Sequence, residues 1–62
     1  MNYWVAILYA ALGDKDAAFA ELEKAYQAYD WNISRLRVDP FMDPLSDDPR
    51  FKDLMKRIGL PQ

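Results

Sequence analysis

The chain has neither cysteine nor histidine among its 62 residues. The first absence excludes a disulfide framework and any thiolate metal site. The second removes the commonest metal ligand and general base. Positive charge is sparse and scattered, with eight Lys and Arg against ten Asp and Glu for a net charge of −2. Phosphate binding needs a clustered basic surface, so the composition argues against a nucleic-acid partner. The longest apolar run, Tyr3 to Leu12, has ten residues, whereas a membrane span takes roughly 20. No basic region precedes it as an export signal requires, so a cytoplasmic location and no membrane partner are expected. Without such a signal, the glycosylation-type triplet Asn32-Ile33-Ser34 reads as a coincidence inside a helix.

What the chain does have is apolar and aromatic side chains, 52% and 15% of its residues. A domain of this size buries only about 60% of the surface its unfolded chain exposes, so its stability is marginal. With no disulfide or metal to staple it, such a chain needs a neighbour.

The run Tyr3 to Leu12 ends at Gly13, the residue preferred just past a helix terminus, and predicts a first helix. At 100° per residue, Val5, Leu8, Tyr9 and Leu12 form one stripe. Tyr3, Ile7 and Ala10 form the opposite one, flanked by Trp4 and Ala11. Both faces are apolar. Asp14 is the expected N-cap of a second helix, and Asp16 adds negative charge at its positive dipole end. This second helix has a single dry side, Ala18, Phe19, Leu22, Ala25, Tyr26 and Tyr29. The Gly13-Asp14 junction leaves room only for an antiparallel hairpin, and the Val5, Leu8, Tyr9, Leu12 stripe is expected to meet Phe19, Leu22 and Tyr26.

Pro40, Pro44 and Pro49 interrupt the second half, because proline inside a regular helix removes a hydrogen bond and clashes with the preceding turn. A short third helix is expected over Trp31–Val38, capped by Asp30, with Trp31 a core or hinge residue. An irregular DPFMDPLSD segment follows, anchored by Phe41 and Leu45. A fourth helix starts at Pro49 under an Asp47 or Asp48 cap, buries Phe51, Leu54, Met55 and Ile58, and stops at Gly59-Leu60-Pro61. Asp53 and Arg57 have the favourable i,i+4 order, worth only about 0.3–0.5 kcal/mol on an exposed face.

Small Ala6 with Tyr9 three residues on, Gly13 at the turn, then Ala18, Leu22 and Ala25 follow a recognisable order of small and large positions. In this, residues 1–32 resemble one repeat of the tetratricopeptide family, a helix-turn-helix unit of about 34 residues. Asn2 stands where that family usually has tryptophan, and Asp30 near where a proline usually ends the unit. The remainder, LRVDPFMDPLSDDPRFKDLMKRIGLP, resembles the tail that closes such arrays in bacterial multidomain regulators. The resemblance implies an all-α fold in a single domain over 1–62, with a hairpin over 1–30 and degenerate capping helices over 31–62. It also implies a protein-protein interaction module, binding a partner protein or peptide or self-associating as a homodimer through the first helix. The alternative it implies is a C-terminal segment regulating an adjacent domain of a larger bacterial signalling or transcription-regulating protein.

In that resemblance Tyr3, Ile7 and Ala10, flanked by Trp4 and Ala11, map onto concave-surface positions and are the candidate partner-binding residues. They read either as a peptide groove with aromatic anchors or as packing between repeats or copies. Packing is favoured, because the stripe carries no polar or basic residue. Other constellations are weaker. Asp39, Asp43, Asp47 and Asp48 lack the spacing of a calcium loop, so no metal or cofactor is expected. Ser34 and Ser46 have no histidine to activate them, and Glu21 and Glu23 point apart on a helix, so no enzyme activity is expected. Arg35, Arg37 and Arg50 either recognise an acidic partner or, as favoured for Arg50, pair locally with Asp47 or Asp48.

Overall fold

The computed structural model describes residues 2–28 and 31–59, with the side chains of Trp31 and Gly59 excepted. The expected Asp30 cap, the Trp31 side chain, Tyr29 and the Leu60-Pro61 stop therefore lie outside the described residues. Those described are helical or in turns, with no strand among them: α1 (Asn2–Leu12), α2 (Lys15–Gln27), 3-10 helices over Trp31–Arg37 and Pro40–Leu45, and α3 (Pro49–Gly59). The fold is all-α.

Local chemistry sets the hairpin. Gly13 has φ +83°, its N–H donates to the Ala10 carbonyl at 3.1 Å, and the Asp14 N–H donates to that of Tyr9 at 3.0 Å. This is the Schellman pair of bonds, which closes a helix when the next residue can turn left-handed. Asp14 then caps α2, accepting the Ala17 N–H at 3.1 Å. α3 opens the same way, with Pro49 in its first turn and the Arg50 N–H donating to Asp48 Oδ1 at 2.9 Å. The cap is thus Asp48.

The hairpin packs on the face opposite to the one expected. Tyr3, Ala6 and Ala10 of α1 are buried, and α1 makes its main contacts with α2 and the second 3-10 helix. Leu8 and Leu12 of the expected stripe stay 64% and 79% exposed. The reason is steric. Alanines one turn apart let the axes approach closely, which removes more surface from water and gives more dispersion contact than a leucine ridge held further off. α2 uses its expected dry side, burying Ala18, Phe19, Leu22 and Ala25.

The proline-rich half is more regular than expected. Ile33, Leu36, Asp39, Met42 and Leu45 are all buried and recur every third residue. A 3-10 helix has 3.0 residues per turn, so this spacing keeps Ile33 with Leu36, and Met42 with Leu45, on one side of its own helix, with the extended Asp39 between the two. Proline suits the first turn, and Pro40 starts the second such helix after Asp39, whose Oδ1 accepts the Phe41 N–H at 2.9 Å. Phe41 falls off the period and is exposed, against the expected anchoring role; Met42 takes that place beside Leu45. Leu54 joins the same core from α3, with Phe51, Met55 and Ile58 partly covered beside it.

Candidate functional site

α1 carries no charged residue, and the chain covers only half of it. On the inner arc, Tyr3, Ala6 and Ala10 are buried, with Ile7 and Tyr9 partly buried against the core. On the outer arc, Trp4, Val5, Leu8, Ala11 and Leu12 are exposed. The exposed fractions of the larger four amount to roughly 400 Å² of apolar surface, the size of the largest patch on a typical single chain, which is often functional.

The five residues expected to bind a partner are therefore split between the two arcs. Tyr3 and Ala10 lie inside the chain's own core, Ile7 is partly buried against it, and Trp4 and Ala11 sit on the open side. The face left open adds Val5, Leu8 and Leu12, which the sequence reading had turned toward α2. The spacing of Ala6 and Ala10, one turn apart, is the signal that could have oriented the helix.

Tyr3 is held inward by more than packing. Its hydroxyl donates to Asp39 Oδ2 at 2.6 Å, joining the start of α1 to the start of the second 3-10 helix. Burial, reinforced by the adjacent carboxylate, pushes the phenol well above the usual tyrosine range. Trp4 stands against it edge-on, ring centres 5.7 Å apart at 86°. The Arg35 guanidinium lies 5.2 Å over the Trp4 ring, a cation–π contact. Among the described residues no carboxylate lies within ion-pair distance of Arg35.

A concavity of about 470 Å³ lies between α2 and α3 over Phe19, Ala20 and Leu54. Its rim is a set of closed ion pairs. Arg50 bridges Asp16 at 2.8 Å and Asp48 at 2.9 Å, while stacking 4.5 Å over the Phe19 ring. Arg57 bridges Glu23 at 2.8 Å and Asp53 at 3.2 Å, and lies 5.0 Å over the Tyr26 ring. The Arg50 hydrogen bonds bring Asp48 down to about 2, and the Arg57 side chain lowers Glu23. Arg50 with Asp16 and Arg57 with Glu23 join α3 to α2, so this rim is a clasp between two helices. No group of three or more metal-ligating side chains occurs among the described residues, and no helix there is long and apolar enough to cross a membrane. Comparison with known proteins found no matching family model, and no curated protein or solved structure with significant similarity.

Proposed function

We propose that the chain is a protein-protein interaction module whose contact surface is the outer arc of α1. The observation that carries this is the contrast within one helix between a buried arc built of alanine and tyrosine and an open arc of Trp4, Val5, Leu8, Ala11 and Leu12 with no charge on it. Removing roughly 400 Å² of this surface from water is worth on the order of 10 kcal/mol at about 25 cal/mol per Å². Association costs on the order of 4–15 kcal/mol in lost freedom, so the face supports a weak contact alone or part of a larger one.

The tetratricopeptide-like reading is supported by spacing. α2 begins at Lys15 and α3 at Pro49, 34 positions later, each behind an aspartate cap. Both cross-helix clasps, Asp16 with Arg50 and Glu23 with Arg57, span the same 34 residues. One repeat of that family has this length, and the second helices of successive repeats lie side by side in a solenoid. In such an array a first helix is covered on both sides, and the outer arc of α1 is the side awaiting cover.

The test is site-specific photo-crosslinking in cells that make the protein, with benzoylphenylalanine at Leu8 and, as a control, at Lys52 on α3. A protein adduct at position 8 and none at position 52 is the expected result. No adduct at position 8 would remove the proposal.

A further inference from the structure

We infer that the occupant of the outer arc is a second copy of the same chain, laid antiparallel so that Leu8 of each copy sits on a two-fold axis; this deepens the interaction reading above and rests on it. Val5, Leu8 and Leu12 are spaced by three and then four residues, the spacing of a seam between two helices that cross at a shallow angle. A seam of this kind is self-complementary: with Leu8 at the axis, Trp4 of one copy faces Leu12 of the other and Val5 faces Ala11.

The direction follows from charge. α1 itself has none, so its flanks decide. At the Trp4 end lies the Arg35 guanidinium, with no carboxylate among the described residues within ion-pair distance. At the other end are the Ala11 and Leu12 carbonyls, beyond the reach of the Gly13 and Asp14 closing bonds. The Asp14 carboxylate follows. Helix C-termini carry partial negative charge. An antiparallel pair therefore places each Arg35 against the negative end of the other α1, twice by symmetry. A parallel pair places Arg35 beside its own copy and the two negative ends together.

The area sets the strength. Two faces of roughly 400 Å² fall short of the ~1,200–2,000 Å² of a standard stable interface. The dimer is therefore weak and concentration-dependent.

The experiment is light scattering coupled to size-exclusion chromatography on the full chain over a dilution series from millimolar to micromolar, with oxidative crosslinking of single-cysteine variants. The mass is expected to fall from twice 7.3 kDa toward 7.3 kDa on dilution. Leu8→Asp, at an exposed position, should stay monomeric at every concentration with an unchanged circular dichroism spectrum, and Arg35→Glu should weaken the dimer about fivefold at low salt. The chain's lack of cysteine makes crosslinking clean. Leu8→Cys should oxidise to a covalent dimer. Val5→Cys alone should not, because antiparallel copies separate those positions by about 9 Å along the axis, beyond the ~7 Å a disulfide spans. Mixing Trp4→Cys with Leu12→Cys, which lie at equal height and nearer the seam, should restore crosslinking. A folded monomer at all concentrations would overturn the second-copy assignment while leaving the interaction surface itself to the photo-crosslinking result. Rapid self-crosslinking of Val5→Cys would overturn the antiparallel arrangement, and a Leu8→Asp variant that still dimerised would overturn the seam.

Discussion

The two helices of the hairpin are nearly equal in length and opposite in design. α2 buries Ala18, Phe19, Leu22 and Ala25 on one side and turns Glu21, Glu23, Lys24 and Gln27 to ion pairs and hydrogen bonds on the other. α1 has the same apolar interior, but its far side carries leucine and tryptophan where α2 carries glutamate and lysine. Both satisfy the core equally well, so core packing does not explain the outer composition of α1. A helix apolar all round is as a rule a buried one, and the contact proposed for the outer arc of α1 would bury it.

The largest expected effect separates the core of α2 from the open arc of α1. Leu22 is fully buried and Leu8 is 64% exposed. Leu22→Ala should therefore destabilise the chain by about 2–5 kcal/mol, enough to unfold most of a domain this small. Leu8→Ala at low micromolar concentration should stay within about 0.5 kcal/mol of the parent. Urea titration followed by circular dichroism measures both, and equal losses would mean that the outer arc also serves the fold of the single chain.

Of intermediate size is the bond that turns the inner arc of α1 toward the proline-rich half. Tyr3→Phe keeps the ring and removes the donor to Asp39, leaving that buried carboxylate without it. The expected cost is about 1–3 kcal/mol, read as a lower urea midpoint. The pH dependence has a definite sign. Burial raises the folded phenol above its unfolded value, so its contribution is complete below pH ~10 and fades as the pH rises toward the folded value. Tyr3→Phe should accordingly show a shallower loss of stability above pH ~10 than the parent.

The smallest effect lies in the clasp on the polar side of α2. Asp48 is lowered from 3.8 to about 2 by the Arg50 side chain and backbone N–H. A depressed carboxylate stabilises above its unfolded value, and that contribution is lost as the pH falls through 4 toward 2. Asp48→Asn keeps a good capping residue, so its thermal midpoint should fall less between pH 5 and pH 2 than that of the parent. Identical slopes in differential scanning calorimetry would show that the Asp48–Arg50 pair adds nothing through charge.

Much of the architecture was written in local residues. Gly13, Asp14, Asp48 and Pro49 each act within about one helical turn, and each starts or ends a helix where expected because an adjacent hydrogen bond or backbone angle demands it. The dry side of α2 was legible for a different reason, since polar residues leave only one side that can go inward. The buried stripe from Ile33 to Leu45 was also present in the sequence, but as a period of three, and reading for 3.6 conceals it.

What local chemistry did not decide was the orientation of α1. Its periodicity is apolar in every direction, so hydrophobicity gives no preference between Tyr3 and Leu8 as the inward residue. Tertiary structure made that choice through two relations between distant segments. Ala6 and Ala10 pack within a core shared with α2, and the Tyr3 hydroxyl reaches Asp39 across 36 residues of chain. Both depend on where the second half returns, a length scale on which composition and period carry no information. The apolar character of the open face was therefore set by sequence, whereas its identity as Trp4, Val5, Leu8, Ala11 and Leu12 was set by the fit of small residues and one buried hydrogen bond.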